Sequence, residues 1–257
     1  MTELKNTLQQ KKFKVLLIGD ICTDIYQYGT VDRISPEAPV PVFKPQHEEE
    51  RSGMAGNVRE NLAKLGCDVV MFSGNVSTKT RLIDIRSKQQ IVRIDNDVLT
   101  PTVPLHPVML QQLPSIDAIV ISDYNKGLVS YEMIEDLRKS YTGPIFVDTK
   151  KTDLQRFEGC YVKINSLERS LAKSLPSNLI VTLGEQGVLY NNIQYPSAVI
   201  GVTDVTGAGD TFLAALTWQY LIQNNIEDAI KYAIRASSVT VQHIGVYAPT
   251  HEEISCV

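Results

Sequence analysis

Residues Asp204–Phe212 read DVTGAGDTF and open directly onto Asp210–Gln223, a stretch with the character of a long helix. Gly207, Ala208 and Gly209 are small enough for backbone N–H groups to close on a ligand. A helix N-terminus adds the positive end of a dipole, so the segment reads as an anion site. Asp210 stands at its mouth. A carboxylate there repels a bound phosphate. It makes sense if Asp210 accepts the proton of a hydroxyl that attacks phosphorus. On G-A-G-D alone the commoner reading is an N-capping aspartate after a glycine turn, and both readings stand at this point.

Working outward, apolar runs alternate with helical patterns. Lys14–Ile18 is a short buried strand ending in Gly19-Asp20, and Ala55–Leu65 has helical spacing closed by Gly66. Val69–Ser73 is the next strand. Strands follow at IDAIVIS, PIFVD, YVKIN and NLIVTLG, with a helix over Tyr131–Ser140 and a second late helix over Glu227–Gln242. The short VLY and IQY segments suggest a hairpin. This rhythm argues for an α/β fold with a mainly parallel sheet sandwiched by helices. Ligands then belong at the carboxyl ends of the strands, where Asp20, Asp24, Asp123, Asp148, Lys150, Asn165 and Thr182 fall.

Two segments depart from the rhythm. Gly29–Pro45 is polar and proline-rich, so its VPVF run belongs at an edge. Arg81–Asp95 alternates on either side of Ser87-Lys88 and reads as a hairpin, either an ordinary surface one or a projecting lid. The preferred division is one unit over 1–257, with lid strands from about 29–50 and 80–96. A free ribbon is marginal in water and would expose Val40, Val42, Ile83 and Ile91, so a homodimer through the lid is expected.

The 257 residues carry 25 Lys+Arg against 29 Asp+Glu, a net −4. This balance gives no basic field for nucleic acid or an anionic membrane. At 43% hydrophobic and 21% charged, the chain has the composition of a folded protein, not a disordered one. No apolar run approaches the roughly 20 residues that cross a bilayer. MTELKNTLQQKKFK lacks the apolar stretch of a signal peptide. Cys22, Cys67, Cys160 and Cys256 are scattered without a C-x-x-C pair, against structural zinc or a disulfide framework. A cytoplasmic setting is the expectation.

The longer string DVTGAGDTF resembles the signature of the ribokinase-like (PfkB) carbohydrate kinase family, D-T-x-G-A-G-D-x-F. The resemblance makes Gly207, Ala208 and Gly209 the anion hole and Asp210 the catalytic base. Asn165-Ser166-Leu167-Glu168 fits the family's N-x-x-E motif, which implies that Asn165 and Glu168 organise Mg²⁺ and the phosphates of ATP. Thr182, Gly184 and Gly187 match its T-x-G-x-x-G nucleotide turn, and Asp20 and Asp24 its sugar-binding G-D-x-x-x-D element. RISPEAPVPV at Arg33–Val42, with Lys79-Thr80-Arg81, SDYNKG at Ser122–Gly127 and VDTK at Val147–Lys150, is similar to the heptose 7-phosphate kinases of that family. By that resemblance Asp20, Gly53, Asn57, Asp123 and Lys126 face a sugar phosphate, and Lys150 lies nearer the nucleotide. The implied activity is transfer of the γ-phosphate of ATP to a hydroxyl of a phosphorylated sugar. A kinase of another sugar or a nucleoside, or a silent binding protein on the same fold, are the competing readings.

Two departures stand out. The family's G-G-A-A-N reads Gly53-Met54-Ala55-Gly56-Asn57 here, so a methionine replaces a glycine beside the sugar pocket. Residues 74–78 also join the strand near Phe72 directly to Arg81, where the family has a further helix and strand. No fused nucleotidyltransferase is expected within these 257 residues.

Overall fold

The computed structural model describes residues 12–105, 107–198 and 201–257. The stretch read for a signal peptide lies mostly outside them. Ten strands form one sheet: β1 (Lys14–Ile34), β2 (Pro41–Met54), β3 (Asp68–Asp84), β4 (Gln90–Asn96), β5 (Ala118–Asp123), β6 (Ile145–Thr149), β7 (Tyr161–Asn165), β8 (Leu179–Thr182), β9 (Val188–Tyr190) and β10 (Ile193–Tyr195). Their order is β10-β9-β8-β7-β6-β5-β1-β3-β4, with β2 also on β1. From β3 through β1 and β5 to β8 the pairing is parallel; β2, β4, β9 and β10 run antiparallel to their neighbours.

The helices are α1 (Ala55–Lys64), α2 (Pro107–Gln112), α3 (Tyr131–Ser140), α4 (Ser166–Leu171), α5 (Ala208–Gln223), α6 (Ile226–Thr240) and α7 (His251–Ser255). Alternate residues of the central strands feed two cores. Val15, Leu17 and Val120 pack with α1, α5 and α6, while Leu16, Ile18 and Ile121 pack with α3 and with Phe157. This is the buried-on-both-faces pattern that makes parallel strands read as continuous apolar runs. Along α5, residues 210–217 are buried without interruption, and Ala214 and Ala215 share its core with Ala229 and Ala233 of α6.

The long β1 changes partners partway. Val15–Gly19 lies between β5 and β3, Ile21–Gly29 continues between β2 and β3, and Thr30–Ile34 pairs with β2 alone. At the changeover Asp20 stands opposite both Gly74 and Asn75, a bulge that bends the ladder. The backbone N–H of Asn75 donates to Thr100 Oγ1 at 2.8 Å. The sequence predicts two strands joined by 74–78; instead β3 runs unbroken to Asp84, and its outer half pairs with β4. The extension carrying β2 and β4 is therefore a continuation of the core strands, and every residue of β4 is exposed. The second late helix ends at Thr240, two residues short of expectation, and α2, α4 and α7 are short helices that periodicity does not reveal.

Candidate active site

Asp210 lies in the first turn of α5 and is 6% exposed. Gly207 caps that helix at φ 79°, a left-handed conformation that favours glycine, and a Cβ there would come within 2.7 Å of Asn57 Nδ2. A Cβ on Gly209 would come within 2.8 Å of Lys163 Nζ. The motif's glycines are thus required by two polar side chains crowded against the helix start, as well as by any ligand. Asp204 ties the loop down: Oδ1 accepts from Thr206 N at 2.9 Å and Oδ2 from Gly245 N at 2.8 Å.

Both oxygens of Asp210 are held. Asn57 Nδ2, on α1, donates to Oδ2 at 2.9 Å, and the Tyr124 hydroxyl, just past β5, donates to Oδ1 at 3.1 Å. Burial pushes the Asp210 carboxyl up to about 6; nearby Asp148 adds to this, while Asn57, Lys163 and Tyr124 oppose it. A base that is ionised at neutral pH yet able to hold a proton is the result. Behind it, Lys163 on β7, 4% exposed, donates to Asp148 Oδ2 at 2.7 Å. Asp148 Oδ1 is buried and makes no hydrogen bond among the described residues.

At the end of β5, Asp123 is saturated. It accepts from Thr149 Oγ1 at 2.6 Å, Lys151 Nζ at 2.9 Å and its own loop at Asn125 N, 2.9 Å. This makes it a brace for the loop. Asp20 Oδ2 accepts from Tyr124 N at 2.8 Å and Lys126 N at 3.1 Å, so it too orients this loop. Its other oxygen, Oδ1, is buried without a partner among the described residues, and burial raises the carboxyl above its ordinary value. Asp24 is ion-paired with Arg81 of β3, and Gly53 lies so close that any side chain there would strike the Asp24 carboxylate. Met54 holds φ 55° with its side chain buried, a glycine-like backbone in a residue with a Cβ.

Most cations near the site have carboxylate partners. Lys126 pairs with Asp97, Lys150 with Glu168, and Lys151 with Asp123. Lys79, half-buried on β3, makes no hydrogen bond or ion pair among the described residues; its ammonium sits 5.4 Å from the centre of the Tyr124 ring. Lys150 Nζ lies 5.1 Å from the same ring. Asn165 and Glu168 form a reciprocal capping box on α4, each side chain accepting from the other's backbone N–H at 2.8 Å. A cavity of about 240 Å³ opens beside Gly209, lined by Thr182, Gly184, Gly187, Val205, Phe212 and Val241 among others.

The structure therefore brings Asp210, Gly207, Gly209 and Asn57 together. It groups Thr182, Gly184 and Gly187 at one cavity, and places Asp20 of β1 and Asp123 of β5 against the loop that carries Lys126. Sequence reasoning assigned no role to Tyr124, Lys79 or Lys163. Lys163 carried a signal, since a lysine inside the apolar run YVKIN demands a buried partner. Tyr124 and Lys79 carried none beyond their place in longer motifs.

A buried carboxylate at a glycine-lined helix N-terminus thus lies beside a largely apolar cavity. Residues 145–253 match the pattern of the pfkB family of carbohydrate kinases. The chain is 33% identical over 299 aligned positions to the bifunctional protein HldE of Klebsiella pneumoniae strain 342, an alignment covering 94% of this chain and 63% of that protein. The corresponding protein of Helicobacter pylori strain P12 is 29% identical, with 95% and 66% covered. The chain thus spans a little under two thirds of the length of these relatives. Its fold matches ribokinase from Thermotoga maritima, with a TM-score of 0.71 at 16% identity over 95% of this chain and 98% of that one. Arabidopsis thaliana ribokinase, complexed with ribose and ATP, gives 0.72 at 15% identity over 96% and 98%.

Proposed function

We propose that the protein is an ATP-dependent kinase that phosphorylates a hydroxyl of an already phosphorylated sugar, with the anomeric hydroxyl of a heptose 7-phosphate as the leading acceptor. The observation that carries the kinase reading is Asp210, buried, doubly hydrogen-bonded and pushed up to about 6 at the start of α5. The acceptor O–H gives its proton to Asp210 as its oxygen bonds to the γ-phosphorus. The bond from that phosphorus to the β,γ-bridging oxygen breaks, and ADP leaves. Backbone N–H groups of 207–209 stabilise the charge that develops on the transferred group.

The cavity fits a nucleotide: its apolar wall of Val205, Phe212, Ile234 and Val241 suits a flat base, and its small residues at 184, 187 and 209 let a phosphate chain approach. Magnesium keeps most of its waters and needs one or two carboxylates plus phosphates. Among the described residues, Asp148 Oδ1, which makes no hydrogen bond and lies 3.9 Å from Lys150 Nζ, and the nearby Asn165–Glu168 pair fit that mode, and no cluster of three acidic, histidine or cysteine side chains is found. When bound, the ion neutralises phosphate charge.

For the acceptor, Asp20 Oδ1 is a buried acceptor awaiting a hydroxyl. Lys79 supports a negatively charged sugar, since its ammonium faces the site without a carboxylate. The exposed β4 edge, with Ile91, Val92 and Ile94 uncovered, supports a homodimer through the extension. Use of ATP points to work in the cytoplasm; among the described residues no helix is long and apolar enough to cross a membrane. A second reading, a kinase of a different sugar, is favoured by Met54 in the glycine-like position beside Gly53. A panel of phosphorylated and unphosphorylated sugars, read as ADP released, separates the two. Equal use of heptose 7-phosphate and free heptose would refute the phosphorylated-acceptor reading.

A further inference from the structure

Tyr124 lies outside every role assigned so far, yet it touches the reacting group. Its hydroxyl donates to Asp210 Oδ1 at 3.1 Å, and its backbone N–H is fixed by Asp20 Oδ2 at 2.8 Å. Its ring carries the ammonium of Lys79 from the extension on one hand and that of Lys150 from the nucleotide side on the other. Asn57 holds the other oxygen of Asp210 at 2.9 Å, and Asn57 is itself fixed by Asn61 Nδ2 at 3.1 Å from its Oδ1.

We propose that Tyr124 is a positioning residue for the base. Together with Asn57 it sets the plane of the Asp210 carboxylate, and it keeps that carboxylate ionised at neutral pH. The inference rests on the kinase reading for its purpose, although the hydrogen bond stands without it. Tyr124 is not a second base. Burial and the neighbouring Asp210 charge hold its hydroxyl well above its ordinary value, so it stays protonated and acts only as a donor. A donor to the ionised form of a carboxylate favours that form. Without it, the remaining neighbours decide. Cys22 from β1 and Asp148 from β6 are thiol and carboxylate; Asn57 from α1, Lys150 after β6 and Lys163 from β7 are a neutral donor and two cations. Asp148 and burial push towards the protonated acid, and the loss of one donor shifts the balance their way.

The test is the carboxyl-carbon NMR titration of Asp210 in the full chain labelled at aspartate, assigned with Asp210→Asn. Tyr124→Phe keeps the ring and deletes one oxygen. Its Asp210 midpoint is expected about one pH unit above that of the unaltered protein, the size of one hydrogen bond to a charged group. Tyr124→3-fluorotyrosine strengthens the donor and is expected to move the midpoint the other way, which keeps the test open should the phenylalanine variant fold poorly. Alongside, the acid limb of kcat/KM should follow the NMR midpoint in Tyr124→Phe, with KM for ATP within about twofold of the original. Coincident titrations in all three proteins would overturn the assignment. If the unaltered protein transfers no phosphoryl group to any sugar, the kinase reading fails, and the titration alone still decides the role of Tyr124.

Discussion

Replacing Asp210 with asparagine separates its chemistry from its electrostatic cost. The folded protein raises this carboxyl from 3.8 to about 6. At about 1.4 kcal/mol per unit, the ionised side chain costs the native state about 3 kcal/mol once the pH exceeds both values. The sign follows from the raised folded value. The stabilising contribution is complete below about 3.8 and is lost as pH rises through 6. Asparagine has no such dependence. Its stability relative to the unaltered protein should therefore improve with pH, by about 1.4 kcal/mol between pH 5 and pH 8. The absolute offset is smaller than the full electrostatic relief. Asn57 and Tyr124 both donate to Asp210; an asparagine amide can still accept from Asn57 and donate to the Tyr124 oxygen, but the buried Tyr124 proton then loses its acceptor, at about 1–3 kcal/mol. Catalysis should fall about 10²–10⁴-fold in kcat, because the amide cannot take the acceptor's proton, with nucleotide affinity nearly unchanged. Urea unfolding at the two pH values and a coupled ADP-release assay read both effects. Parallel stability–pH curves would refute the burial argument, and a variant keeping most of its kcat would refute the base assignment.

Other outcomes follow from the same geometry. Lys79→Ala should raise KM for a phosphorylated sugar by roughly 10- to 100-fold, the loss of one charge-assisted contact, with KM for ATP little changed. Lys126→Ala should do less, since Asp97 already takes the Lys126 charge; equal effects would reverse the choice between them. Ile94→Glu on β4 should leave a monomer at micromolar concentration by sedimentation, because a charge on an exposed apolar edge opposes pairing there. A dimer unchanged by Ile94→Glu would place its interface elsewhere.

Much of the fold was legible because local patterns and tertiary demands agree. The apolar runs at Lys14–Ile18, Ala118–Asp123 and Ile145–Thr149 are strands buried on both faces, so nothing but a covered parallel sheet can satisfy them. The DVTGAGDTF segment was legible for a similar reason, as small residues before a buried helix have few other uses. Less visible was the continuity of β3 through Gly74 and Asn75. A glycine and an asparagine look like a loop, and only the pairing with β1, opposite Asp20, makes them a bulge.

The sequence by itself determined the alternation of strands and helices, the helix start that carries Asp210, and the strand-end position of Asp123, Lys150 and Asn165, whereas Asp20 and Asp24, expected at a strand end, lie inside β1. The features so determined depend on neighbours within a few residues, where periodicity and turn chemistry act. Tertiary structure alone decided which charges are already answered. Lys126 is paired with Asp97, 29 positions earlier in the chain; Lys163 with Asp148; and Asp123 with Lys151, while Lys79 is left to the Tyr124 ring. It also decided that Tyr124 and Asn57, distant from Asp210 in sequence, close on its two oxygens. Hydrogen bonds and ion pairs act over about 3 Å, and such distances between remote residues exist only once the sheet and its helices have packed.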